Sequence, residues 1–197
     1  MLKKFLIIII LTLSFQSWTN ANEIGEFDID GVSIGDSLLD YVSKDIIKSK
    51  TKAFYPNSEK YYLLEFDSQE LSFLDQYPFI GFHLKENDNK YIIYSIKGML
   101  DYDNDLDSCL KQKKIIVESI KNTLSDSKEE KYENSYNKLY GQSKAYISDF
   151  KVNDGFIRVW CNSWDKKNEK SKDFMDTINV DLSDQTFLDW LNNEAYK

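Results

Sequence analysis

The 197-residue chain has one histidine, His83, one arginine, Arg158, and two cysteines, Cys109 and Cys161. A single histidine leaves a Ser-His-Asp triad or a histidine-rich zinc site without the converging partners it needs, so His83, which alternates within a strand-like run, reads as structural. Arginine is the usual bidentate ligand for phosphate and carboxylate. Its scarcity beside 24 lysines weakens a phosphate-binding role. No long apolar run is present either. The longest, Phe5 to Leu13, is far short of the ~20 residues that span a bilayer.

That short run follows Lys3 and Lys4 and precedes a polar stretch ending Thr19-Asn20-Ala21. These are the three regions of a secretory signal peptide, with cleavage expected after Ala21. The organisation is therefore residues 1–21 as signal peptide and 22–197 as one domain, with possible subunits 22–100 and 101–197. Loss of Lys3 and Lys4 moves the formal charge from -8 to -10. An acidic surface of this kind excludes nucleic acid and anionic membrane as natural partners. No stable membrane anchor is expected after cleavage, and the location is periplasmic or secreted.

Two cysteines in an exported chain most simply form one disulfide; two buried free thiols are the alternative. Leu106, Cys109, Leu110, Ile116, Val117, Ile120 and Leu124 recur at helical spacing, so Asp105 to Leu124 is expected to be an amphipathic helix with Cys109 on its apolar stripe. Lys111, Lys114, Glu118 and Lys121 face water. Asp103, Asp105 and Asp107 complement the helix dipole at its start. Their alternate spacing resembles the opening of a calcium loop, but the glycine and glutamate of an EF-hand are replaced by Leu106 and Gln112. No metal or cofactor is implied.

Elsewhere, Phe27 and Ile29 form a short strand broken by Gly31 to Gly35, and a helix follows from Asp36 or Ser37 through Ile47. Aromatic and β-branched residues predict strands at 53–55, 61–66, 79–84 and 91–100, with Glu86 to Asn89 as a hairpin turn. Ser125 to Gly141 is polar and reads as an exposed loop. Strands at 144–152 and 156–163 are joined by Asn153-Asp154-Gly155, with Gly155 expected to be left-handed. Asp165 to Lys172 is a charged turn and 174–182 a last strand. Ser183 is expected to cap a closing helix that carries Phe187, Trp190 and Leu191. Tight turns make these strands antiparallel, giving an α+β fold with helices on one face of a sheet, and the element order allows two tandem helix-plus-strands units. Ile157, Val159 and Cys161 share a strand face, so the disulfide would pin helix to sheet.

The segment Phe27-Asp28-Ile29-Asp30-Gly31-Val32-Ser33-Ile34-Gly35-Asp36-Ser37 resembles the start of small exported bacterial domains of the BamE/SmpA type and of the β-lactamase-inhibitor-protein type. In these, helices pack on a three-stranded antiparallel sheet, and the latter family doubles the unit. The resemblance implies a binding or scaffolding role in the envelope and carries over no catalytic residue. The chain departs from the lipid-anchored members in lacking their N-terminal lipobox cysteine.

On the strand face opposite Cys161, Phe156, Arg158, Trp160 and Trp164 lie at even spacing. Such a row is a candidate platform for a protein or small-molecule partner, against the alternative that it is core. The leading expectation is a non-catalytic binding domain. A hydrolase using paired carboxylates is the alternative, and none of the 33 acidic residues is singled out for it.

Overall fold

The computed structural model describes residues 23–124, 128–168 and 174–197. The expected signal segment and parts of the two polar connections lie outside these. Among the described residues no helix is long and apolar enough to cross a membrane.

Among the described residues a 3-10 turn at Ile24–Glu26 precedes a short hairpin, β1 (Asp28–Ile29) and β2 (Val32–Ser33). Asp30 and Gly31 turn it with φ of 51° and 81°, the left-handed pair that suits a two-residue hairpin. The expected helix after Asp36 is split into a 3-10 turn at Leu38–Asp40 and α1 at Lys44–Ser49. Each piece has its own serine cap: Leu39 N–H donates to Ser37 and Ile46 N–H to Ser43. With Ser43 held extended as a cap, the helix cannot run through it.

The main body is an eight-stranded antiparallel sheet. Its strands are β3 (Ala53–Tyr55), β4 (Ser58–Asp67), β5 (Phe79–Lys85), β6 (Ile93–Asp101), β7 (Glu129–Ser135), β8 (Lys144–Val152), β9 (Gly155–Ser163) and β10 (Thr177–Asp184). Their spatial order is β3-β4-β5-β6-β10-β9-β8-β7. Each half of the chain thus supplies a four-stranded meander, and β6 and β10 join the two. Helix α2 (Leu106–Thr123) packs on β9 and β10, with the Asp105 side chain accepting from Ser108 N–H at its start.

One face of the sheet forms the core. Leu64, Phe82, Ile96, Leu182, Ile157 and Phe150 lie in register across six strands and are all buried. Over them lie Cys109, Val117 and Ile120 of α2, Ile47 of α1, and Ile29 and Val32 of the hairpin. The α+β expectation is met, but not every helix lies on this side. The closing helix α3 (Gln185–Trp190) packs on the opposite face, with the Phe187 ring 4.6 Å from His83 and 5.4 Å from Tyr61. Its cap is Asp184, which accepts from Thr186 and Phe187 N–H; Ser183 still belongs to β10.

Two other expectations are corrected. The segment read as an exposed loop contains β7, a seven-residue edge strand paired along its length with β8. An edge strand with one free side needs no apolar face, so hydrophobic periodicity does not mark it. Gly155 is not a left-handed turn residue: it pairs with Val152 as the first residue of β9. What demands glycine there is space. A Cβ would stand 2.5 Å from Ser183 O and 2.8 Å from Ile24 Cβ.

Cys109 and Cys161 are fully buried and bonded to each other, closing a loop with sequence separation 52. The bond ties α2 to β9, in the part of the sheet beside the β6–β10 junction.

Reducing this bond should lower the unfolding free energy by about 4 kcal/mol, the chain-entropy value for such a loop. Urea titrations with and without reductant measure it, and an unchanged midpoint would deny the bond that role. Gly155→Ala should cost ~1–3 kcal/mol through overpacking against backbone. A variant as stable as the parent would show that strand β9 can move away from Ser183.

Candidate functional site

The face opposite α2 is built from the alternate residues of the same strands, and their register fixes what meets what. One row runs His83, Ser95, Ser183, Phe156 from β5 to β9. The next runs Lys97, Asp181, Arg158, Asp149 from β6 to β8. A third runs Phe79, Met99, Asn179, Trp160, Ile147, Tyr132 from β5 to β7. The middle row alternates in sign at every step, the favourable arrangement for directly opposed cross-strand pairs.

Arg158 is the centre of this row. Its Nε donates to Asp149 Oδ1 and its Nη2 to Asp149 Oδ2, both at 2.8 Å, a bidentate pair. Tyr132 Oη donates to Asp149 Oδ2 at 2.8 Å and accepts from Arg158 Nη2 at 3.1 Å. These hydrogen bonds to Asp149 raise the guanidinium pKa above its ordinary value, outweighing partial burial. Asp149 is 5% exposed, so Arg158 both neutralises it and keeps its own planar edge fixed on the surface.

Asp181 lies between Lys97 and Arg158. Burial pushes its carboxyl up, opposed by hydrogen bonds from Ser183 and Ser95 and by the charges of Lys97 and Arg158. Ser95 Oγ is 3.1 Å and Ser183 Oγ 3.0 Å from Asp181 Oδ1. These hydroxyls serve the carboxylate; the histidine beside them is turned away. His83 Nε2 is 2.8 Å from Tyr55 Oη, and its buried Nδ1 has no partner among the described residues. Serine, histidine and aspartate therefore meet on this face without the hydrogen-bond chain that a triad requires.

Two covers bound the face. At one end, α3 places Phe187 and Trp190 over Tyr61 and His83. At the other, Trp164 lies 4.9 Å from Tyr136 and 4.5 Å from Phe174 in a satellite aromatic cluster. Between them Trp160 and Phe156 are partly exposed, and Phe79 and Tyr132 are each 40% exposed. Lys97 Nζ sits 5.4 Å from the Trp160 ring centre and the Arg158 guanidinium 5.4 Å from that of Phe156. Such cation–π contacts brace the rings without covering them.

A cavity of about 400 Å³ opens beside Asp181, bordered by Phe156, Arg158, Ser183, Phe187 and Leu188. A second, of about 380 Å³, lies beyond Lys97 against Leu63, Phe79 and Met99. The Asp181 cavity contains no second carboxylate. A larger cavity, about 640 Å³, is on the other side between α2, β7 and β8. There Lys113, 5% exposed, donates to Ser148 Oγ, which donates to Glu129 Oε1 at 2.6 Å.

Three of the four expected platform residues, Phe156, Arg158 and Trp160, thus share one face. Trp164 continues their spacing but falls beyond the last residue of β9, Ser163, and is absorbed into the aromatic cluster. Of their polar neighbours, Lys97 is opposed to Asp181 across more than 80 positions and Tyr132 comes from the unrecognised β7, so no local pattern points to either; Asp181 and Asp149 lie on expected strands, and the register sets them beside Arg158. Lys113 carried a usable signal. It stands four residues from both Cys109 and Val117, on the apolar stripe.

Comparisons with protein-family models, with curated proteins and with solved structures return no match.

Burial, aided by the charge of Lys97, lowers the His83 pKa to about 4 from 6.5. Between these values the unfolded chain binds the proton and the folded chain does not, so stability is lost as the pH falls through that window. The full contribution is about 3 kcal/mol. Urea titrations across this range should therefore show a steeper acid loss for the parent than for His83→Gln. Parallel curves for the two would mean that His83 is not held neutral.

Proposed function

We propose that this is an exported, non-catalytic binding protein of the cell envelope, periplasmic or secreted, which presents the uncovered strip of its sheet to a protein partner. The observation that carries the reading is the strip itself. Across β5, β6, β10, β9 and β8 it combines an alternating charged row with the partly exposed rings of Phe156, Trp160 and Phe79. Tryptophan, tyrosine and arginine in a desolvatable setting are the side chains that dominate protein–protein binding energy. Arg158 and Asp149 are already hydrogen-bonded to each other, so docking orders few side chains.

Export is supported by the charged, apolar and polar regions of residues 1–21 and by a buried disulfide, which persists in oxidising compartments. The two four-stranded meanders, each preceded by a helix, support the reading of residues 22–100 and 101–197 as tandem units of one domain. Their joining widens the platform beyond what one meander offers. The net charge of -8, which becomes -10 on loss of Lys3 and Lys4, speaks for a partner with a basic surface and against nucleic acid. The cavity beside the strip has Asp181 as its one lining carboxylate, so a hydrolase using paired carboxylates draws no support from this site.

The test is an affinity pull-down from native envelope material with the disulfide intact, comparing the parent with Trp160→Ala. Trp160 is only partly buried, so its truncation should leave the melting temperature nearly unchanged while retention of the partner falls by tenfold or more, about 1.4 kcal/mol or above. Equal retention by both proteins would place the binding surface elsewhere.

A further inference from the structure

The two edges of the sheet differ. Edge strand β3 has three residues, a register shift between Phe54 and Tyr55, and Asn57 N–H bonded to Ala195 O just beyond it. Edge strand β7 has seven residues, pairs without a shift, contains no proline or glycine, and has exposed side chains from Glu130 through Ser135. Its outer backbone groups have no partner strand among the described residues. An edge of that length and regularity is a template for another strand.

The sequence of β7, Glu129-Glu130-Lys131-Tyr132-Glu133-Asn134-Ser135, specifies which strand fits. Antiparallel pairing of β7 with itself about a two-fold axis through Tyr132 engages all seven residues. It sets Lys131 against Glu133 of the second copy and Glu133 against its Lys131, an alternating square of charges on the α2 side of the sheet. Glu130 meets Asn134 and Glu129 meets Ser135, so no like charges are directly opposed. Moving the axis to Lys131 or to Glu133 opposes two lysines or two glutamates. The one register that uses the whole strand is thus also free of repulsion.

Side-chain anchoring keeps that edge clear. Tyr132 is drawn back over the sheet by its hydrogen bonds with Asp149 and Arg158, and Glu133 Oε2 accepts from Lys144 Nζ at 3.1 Å on the adjacent strand. Lys131 has no ion pair among the described residues and supplies the unmatched charge for an incoming glutamate.

We infer that the protein self-associates as a two-fold dimer through β7, forming one continuous sheet. A two-fold axis perpendicular to the sheet keeps both α2 layers on one side and both Arg158–Trp160 strips on the other. The partner is therefore a second copy of this chain, and the dimer offers two strips facing the same way.

Sedimentation equilibrium of the purified protein, disulfide intact, over a wide concentration range tests this. The parent should approach twice the chain mass as concentration rises. Lys131→Glu and Glu133→Lys should each remain at the single-chain mass, because each opposes like charges. The double exchange Lys131→Glu/Glu133→Lys restores opposite pairs and should restore the dimer. Circular dichroism should show all four proteins equally folded, since both positions are exposed. A parent that stays at the single-chain mass would overturn the inference. So would single variants that dimerise like the parent, or a double variant that dimerises no better than the singles.

Discussion

The structure depends on the pairing of β6 with β10. Two meanders, each made of strands adjacent in sequence, become one sheet only because Ser95 through Asp101 pair with Ser183 through Thr177. On the α2 side that junction is apolar, Ile96 against Leu182 and Gly98 against Val180; on the other side it is polar, Ser95 against Ser183 and Lys97 against Asp181. The apolar side shares in the common core. The polar side brings the charge of one half beside that of the other, with Ser183 and Ser95 hydroxyls 3.0 Å apart across 88 positions of sequence. Burial stabilises the junction, and opposite charge selects its register.

The disulfide acts on the same junction from the side. Cys161 is in register with Ile178 of β10, and Cys109 holds α2 over both β9 and β10. Without the bond, α2 would be held by its apolar stripe alone, and that stripe is interrupted by Lys113. The lysine is tolerated because Ser148 accepts from it and passes the hydrogen-bond chain to Glu129, which also takes Lys121 at 2.6 Å. Burial lowers the Lys113 pKa, and the carboxylate of Glu129 counters part of that shift.

What was legible in the sequence was local. Helix α2, its Asp105 start, the cysteine on its stripe and the strands with alternating aromatic or β-branched residues all follow from patterns within a few turns or strand residues. The shared face of Phe156, Arg158 and Trp160 follows from the period of two. The failures have two causes. Strand β7 has no apolar side to betray it, and the split of the first helix depends on Ser43 acting as a second cap. The rest needed distant pairing. Gly155 looked like a turn residue because the turn is where glycine is commonest, whereas its real constraint is Ser183 O from a strand almost thirty positions away. The placement of α3 against the free face, and the meeting of Lys97 with the row from Asp181 to Asp149, follow from the β6–β10 pairing, which no local pattern encodes.

The binding reading rests on the sheet being one cooperative surface. Amide hydrogen exchange, followed residue by residue under native conditions with the disulfide intact, tests that most directly. Amides of β6 and β10 should be the most protected in the protein and should exchange together, with the free energy of global unfolding. If residues 93–101 and 177–184 exchanged with different free energies, each with its own half of the chain, the halves would be separate units in contact, and the shared charged strip would not be a fixed feature of the protein.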